Sequence, residues 1–168
     1  MLTRFADLVD GLNERIGRAI AWLVLAMVLV LCAQVIARNA FDWASAGLAE
    51  SATRMHALVF MLGLGYTLLH NEHVRVDLLS RHWSPRGRAS VELIGTALLL
   101  LPFCLLLLLG SLDYVAASWR VLESSRETGG LPGVYWMKAL IPIAAALLLL
   151  QGLARAARAL VLLRETRG

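Results

Sequence analysis

Two stretches of the chain contain no charged residue over the length that a helix needs to cross a membrane. Residues 19–37 run for 19 positions without a charge, and residues 93–112 run for 20. A helix needs about 20 apolar residues to span the hydrocarbon core of a bilayer. Hydrophobic residues make up 59% of the chain, against roughly 45–50% in a soluble domain. The sequence therefore predicts an all-α integral membrane protein.

Two shorter uncharged stretches, residues 55–69 and 139–154, complete the predicted spans. The first lengthens to 23 residues if it begins at Gly47, which admits Glu50 and Arg54. The second lengthens to 24 if it begins at Leu131, which admits Lys138. We predict a single domain, residues 1–168, with four transmembrane helices over residues 17–38, 47–69, 91–113 and 133–155.

The basic residues are distributed unevenly between the two sides that four crossings define. Eleven of the 16 lie before the first span, between the second and third spans, or after the fourth, and five lie on the other side when those at helix ends are included. Cytoplasmic segments are enriched in basic residues, so we expect both termini in the cytoplasm. This bias accounts for the net charge of +4, and we expect no nucleic-acid partner.

Residues 1–16 carry apolar side chains at helical spacing, namely Leu2, Phe5, Leu8, Val9, Leu12 and Ile16. Two interpretations stay open. The segment forms an amphipathic helix that lies at the membrane interface or docks on a partner, or it is the cytoplasmic start of the first span. Asp7, Asp10 and Glu14 precede the span, and its apolar stretch exceeds the roughly 7–15 residues of a secretory signal. We therefore expect the span to be retained.

Proline and serine residues indicate where the third and fourth helices begin and bend. Ser84 and Pro85 have the pattern of an N-cap followed by a proline at the first helical position. A helix that runs from Pro85 to Trp119 is longer than the bilayer is thick, so we expect it to tilt, protrude or bend near Pro102. Pro142 is expected to bend the fourth helix.

Ionisable residues inside a span are costly and call for a functional hypothesis. Glu50 and Arg54 stand four positions apart on the second helix, and His56 follows. They form either a substrate or ion site, or a mutually neutralising pair that anchors the helix or contacts another subunit; we favour the pair. Cys32 and Cys104 form no Cys-x-x-Cys motif, so we interpret both as buried packing residues.

Two other functional classes are compatible with a small membrane protein. A haem- or quinone-linked anchor of an oxidoreductase needs two histidines at membrane depth for haem, and only His56 fits. An autonomous homodimeric transporter needs a carboxylate at membrane depth, and Glu50 lies near the edge. We therefore predict no enzyme activity, no cofactor and no resident metal, and a protein that packs against something larger.

Two ordered motifs resemble those of a known family. The first begins with Trp43, Glu50, Arg54 and Gly63 and continues, ten residues after the glycine, with His73-Val74-Arg75-Val76-Asp77. The second is Gly130-Leu131-Pro132-Gly133 leading to Ile141-Pro142 and residues 147–151. Together they resemble the small membrane subunit, the DctQ type, of tripartite ATP-independent periplasmic (TRAP) transporters, in the mannitol/chloroaromatic-like branch.

The resemblance implies a division of labour between subunits in the bacterial inner membrane. The large TRAP membrane subunit carries the substrate and sodium sites and moves as an elevator, while a periplasmic solute-binding protein delivers an organic acid or related solute. The small subunit joins the static scaffold of the large one, so sodium coupling is expected in the large subunit and not in this chain.

Site residues follow from this resemblance and from side-chain chemistry. Candidates for the partner interface are Trp43, Glu50, Arg54, Gly63, Gly65 and Lys138, with the two glycines permitting close approach of helices. Candidates for the cytoplasmic connection between the second and third helices, including contacts with phospholipid headgroups, are His73, Arg75, Asp77, Arg81, Arg86 and Arg88.

Overall fold

The computed structural model describes residues 2–70 and 83–165, and all regular structure within them is helical. The helices are α1 (Leu2–Phe41), α2 (Ala46–Leu69), α3 (Pro85–Arg120) and α4 (Val134–Glu165). All four are long and apolar enough to cross a membrane. The predicted all-α fold with four candidate spans is thus confirmed.

Helix α4 lies at the centre of the bundle and packs against each of the other three helices. Its buried face consists largely of alanine, at Ala144, Ala145, Ala154, Ala156, Ala157 and Ala159. Small residues let helix backbones approach closely without a driving force from water. This composition explains why α4, and not one of the leucine-rich helices, holds the central position.

Helix α1 is continuous from Leu2 to Phe41, so residues 2–16 and the first candidate span belong to one helix. Its buried residues are Ala6, Val9, Asn13 and Gly17. Ala6 and Val9 pack with Ala154 of α4, and Gly17 lies so close to the ring of Tyr66 on α2 that a side chain would overlap it.

The predicted apolar stripe of the first segment lies mainly on the outside of this chain. Leu2, Phe5, Leu8 and Leu12 are all exposed, and Leu8 is 76% exposed. The buried face is the neighbouring one, which carries smaller residues. The stripe is thus available to lipid or a partner, while the small residues make the contact with α4.

Helix α3 begins as predicted, with the Ser84 hydroxyl accepting a hydrogen bond from the backbone N–H of Gly87 at 3.1 Å. A π-helical turn over Thr96–Leu100 comes just before Pro102, whose missing N–H and bulky ring disturb regular α-helical bonding. The buried residues Ala89, Thr96, Cys104, Ser111 and Ser118 follow a seven-residue spacing with one eight-residue step at this turn. The turn therefore keeps one face of α3 against α4 along its whole length.

The irregularity near Pro102 takes the form of a wider turn within a continuous helix. Pro142 lies inside α4, which is also continuous. The predicted bends at Pro102 and Pro142 stay predictions. Cys104 is buried, as predicted, whereas Cys32 is exposed on the outward face of α1, so its interpretation as a buried packing residue is wrong for this chain.

Candidate functional site

The four helices alternate in direction, so α1 and α4 bring the two termini to one end of the bundle, called here the termini end. The opposite end, the loop end, holds the turn between α1 and α2 and the α3–α4 connection, residues 121–133. Hydrogen-bonded polar side chains are concentrated at these two ends. Each end is therefore a candidate site.

Glu50 and Arg54 lie on the first two turns of α2 and face the α3–α4 connection. Ser45 caps the helix by accepting a hydrogen bond from the N–H of Leu48 at 3.4 Å. The two side chains form an ion pair, with Arg54 Nη2 3.2 Å from Glu50 Oε2, and are only 18% and 22% exposed. The neutralising pair that the sequence predicted is therefore present.

The pair also binds the backbone of the connection, which the sequence did not predict. Glu50 accepts hydrogen bonds from the Ser125 hydroxyl and, at 2.8 Å, from the N–H of Leu131. Arg54 donates to the carbonyl oxygens of Leu131 and Pro132, each at 2.5 Å. We call these five residues the loop clasp, because they fasten the α3–α4 connection to α2.

Steric constraints explain why glycine occupies the positions around Leu131 and Pro132. Gly129 and Gly133 have φ angles of +76° and +88°, a region that glycine enters at little cost. A Cβ at Gly130 would lie 2.7 Å from Glu50 Oε1. The Gly130-Leu131-Pro132-Gly133 motif is thus the sequence that lets the connection fit against Glu50 and Arg54.

A second ion pair fastens the other part of the connection to α3 and α4. Glu123 accepts hydrogen bonds from Lys138 Nζ at 2.5 Å and from the Ser118 hydroxyl at 2.6 Å. The Lys138 ammonium also lies 4.1 Å from the centre of the Tyr114 ring, a cation–π contact. The hydrogen bonds from Lys138 and Ser118 lower the pKa of Glu123 below its ordinary value of 4.5.

The lowered pKa of Glu123 predicts acid sensitivity at the loop end. The folded protein binds the proton of this carboxyl less readily than the unfolded chain does, so the stabilisation is complete above pH 4.5 and is lost as the pH falls through the lowered pKa. We expect the Tm of the purified protein to fall below that pH. The fall should be smaller in Glu123→Gln, and an equal acid-dependent fall in both proteins would contradict the prediction.

The termini end holds a second network, which joins α1 to α4. Arg158 contacts Asp7 Oδ1 at 3.0 Å and Asp10 Oδ2 at 2.5 Å. Gln151 donates to Asp10 at 2.8 Å and accepts from Asn13 Nδ2 at 2.7 Å, and both amide side chains are fully buried. No sequence pattern distinguishes Asn13 from the other polar residues of segment 1–16, so its burial was not predicted.

The predicted glycine contacts differ from each other. A Cβ at Gly65 would overlap the Asn13 amide, whereas a Cβ at Gly63 would lie 3.5 Å from Ile20, an ordinary contact. Gly65 therefore serves helix packing within this chain. Trp43 is 54% exposed at the loop end, and Lys138 lies in the pair with Glu123.

The predicted residues of the cytoplasmic connection are only partly covered by the structure. His73, Arg75, Asp77 and Arg81 lie outside the described residues. Arg86 and Arg88 lie on the first turn of α3, and Arg88 lines a cavity of about 440 Å³ together with Glu92, Arg155 and Arg158. The Arg155 guanidinium binds Glu92 at 2.7 Å and the carbonyl oxygen of Leu68 at 2.8 Å.

Comparison with known proteins identifies a family for this chain. Residues 27–162 match the family model described as the DctQ component of tripartite ATP-independent periplasmic transporters. Neither the curated proteins nor the solved structures contain a significant match. The matched range contains α2, α3, the α3–α4 connection and most of α4, and hence both the loop clasp and the Glu123–Lys138 pair.

Proposed function

Because the chain belongs to the family of DctQ components, the small membrane subunits of TRAP transporters, we propose that it packs against a large elevator-type subunit as part of the static scaffold. It supports sodium-coupled uptake of an organic acid or related solute that a periplasmic binding protein delivers. The substrate and sodium sites belong to the large subunit, and this chain has no catalytic role. The observation that carries the proposal is the family match over residues 27–162.

The polar contacts of this chain support a scaffold role. Glu50, Arg54, Glu123 and Lys138 bind residues of the same chain and so fix the shape of the loop end. A rigid loop end offers a preformed surface, and preformed surfaces bind with a smaller entropic cost. We propose that Trp43, Gly63 and the loop held by these charges contact the partner subunits, in a manner particular to the mannitol/chloroaromatic-like branch.

We propose that both termini lie in the cytoplasm of a bacterium and that the protein is a multi-pass component of the inner membrane. The excess of basic residues at the termini end supports this orientation. The exposed apolar side chains of Leu2, Phe5, Leu8 and Leu12 then lie at the cytoplasmic headgroup level, where phospholipids cover them. Arg86 and Arg88 lie at the same end and meet anionic headgroups there.

Co-purification with the large subunit tests the proposed function. We expect the affinity-tagged chain, co-expressed with the large TRAP membrane subunit of the same organism, to retain that subunit through detergent extraction and gel filtration. A tagged four-helix membrane protein of another family serves as the control. Elution of the tagged chain by itself, with the large subunit present and folded in the same membranes, would contradict the proposal.

A further inference from the structure

The Arg155 guanidinium supplies a common level from which depth along the helices can be counted. It contacts the Leu68 carbonyl of α2 and Glu92 of α3, so these residues lie at the same height. A helix rises about 1.5 Å per residue, so Glu50 lies about 27 Å and Asp113 about 31 Å further towards the loop end. We place the near edge of the hydrocarbon core at the Arg155 level. Because the core is about 30 Å thick, these two carboxylates then lie at its far edge.

His56 lies between these two levels. It is 12 residues from Leu68 along α2, which places it about 18 Å from the Arg155 level and about 9 Å further inside than Glu50. Its imidazole is exposed and stacks on Phe60, with 6.4 Å between ring centroids. Residues 2–70 and 83–165 offer this ring no hydrogen-bond partner.

The exposed face of α2 differs in chemistry from those of the other three helices. Within α2 the exposed residues are Thr53, His56 and Phe60, which we call the α2 polar face. In the uncharged stretches 19–37, 93–112 and 139–154, every exposed residue is apolar. Leu29 of α1 and Leu106 of α3, at 61% and 70% exposed, are typical. Lipid acyl chains can cover those apolar faces without leaving a polar group unsatisfied. An imidazole surrounded by hydrocarbon, in contrast, has no hydrogen-bond partner for its ring nitrogens.

We propose that the α2 polar face is the surface that docks against a transmembrane helix of the large subunit, and that this helix presents a hydrogen-bonding group to His56. The inference rests on the proposed function, since it names the part of the chain through which the scaffold contact is made. A protein helix fits the observations better than lipid, because acyl chains cannot form hydrogen bonds. Hydrogen bonds between polar side chains of neighbouring spanning helices, in contrast, stabilise helix association. The outward faces of α1 and α3 then face lipid.

Photo-crosslinking from two matched phenylalanines tests the proposal. Phe60 and Phe103 are 60% and 55% exposed, on α2 and α3. Each is replaced in turn by p-benzoyl-phenylalanine, and the complex with the large subunit is irradiated in native membranes. We expect a crosslinked band with the mass of both subunits from position 60 and none from position 103.

The other outcomes overturn the inference in distinguishable ways. A band from position 103 alone, equal bands from both positions, or a band between two copies of this chain from position 60 would show that another surface or another occupant is correct. Co-purification of the wild-type subunits without any crosslink from position 60 would refute the docking face and leave the proposed function standing. Absence of a wild-type complex would refute both.

A substitution of His56 provides a second measurement. Within residues 2–70 and 83–165, the ring of His56 forms no hydrogen bond or ion pair and stacks on Phe60. The isolated His56→Leu protein should therefore keep its Tm. The amount of large subunit retained should fall about fivefold, the size expected for one lost hydrogen bond between spanning helices, and His56→Gln should restore part of it. Unfolding of the isolated His56→Leu protein, or unchanged retention of the large subunit, would contradict the proposal.

Discussion

Replacing Arg54 with alanine is expected to release the α3–α4 connection from α2 and to lower the Tm by roughly 5–10 °C. The guanidinium binds the carbonyl oxygens of Leu131 and Pro132 and the Glu50 carboxylate. Among the described residues, its removal leaves the Pro132 carbonyl without a donor and leaves the Leu131 carbonyl only the N–H of Ser125, at 3.3 Å. It also leaves a largely shielded carboxylate without its countercharge. Hydrogen bonds that involve a charged group are the stronger ones, and orphaned polar groups are costly. Thermal unfolding in detergent measures the change.

Arg120→Ala is the matched control for this prediction. Arg120 is an exposed arginine at the last residue of α3, at the loop end of the bundle, and it makes no ion pair with the described residues. Its replacement should leave the Tm within about 2 °C of the wild-type value. Equal Tm values for Arg54→Ala and Arg120→Ala would show that the loop clasp contributes nothing.

The same clasp predicts a non-additive double variant. Glu50→Ala and Arg54→Ala each break the ion pair and detach part of the connection, so the second substitution should add little to the first. Arg54→Lys should be intermediate, because an ammonium cannot match the fork of donors that binds two carbonyls and a carboxylate. Strictly additive losses of stability would contradict the view that these side chains act as one unit.

Gly65→Ala is expected to destabilise the protein by about 1–3 kcal/mol, the cost of inserting a methyl group into a packed interior. The new Cβ would overlap the Asn13 amide, which is fully buried and hydrogen-bonded to Gln151 and so has little room to move. Differential scanning fluorimetry of the purified subunit, or urea unfolding in detergent, measures the loss.

Gly63→Ala separates this steric effect from a general intolerance of substitution on α2. A Cβ at Gly63 meets only Ile20, at 3.5 Å, and alanine is favoured over glycine in a helix by up to about 1 kcal/mol. The isolated Gly63→Ala protein should be as stable as the wild type or slightly more stable. Similar losses in both variants would refute the steric account of Gly65.

Local chemistry was enough to predict the helices of this fold. Long uncharged stretches leave a chain few options besides spanning helices, and Ser84 and Pro85 mark the start of α3 through interactions within a single turn. The pairing of Glu50 with Arg54 is also local, since the two are four residues apart on one helix. These features could therefore be predicted from the sequence without knowledge of the tertiary structure.

The partners of those side chains depend on contacts far apart in the sequence. Glu50 meets Leu131 across 81 positions and Asn13 meets Gln151 across 138, and no local pattern encodes either. The buried face of α1 was missed for a different reason. In a membrane both lipid and helix neighbours accept apolar side chains, so size, and not hydrophobicity, distinguishes the packed face. Ala6 and Gly17 face neighbouring helices, and Leu8 faces outward.

Solute uptake by reconstituted subunits tests the scaffold role most directly. Liposomes are prepared with this chain alone, with the large subunit alone, and with both, each with the binding protein and a radiolabelled organic acid that it retains. We predict that an inward sodium gradient drives accumulation of the organic acid inside the liposomes only when both membrane subunits are present. Sodium-driven accumulation by this chain alone would contradict the scaffold role.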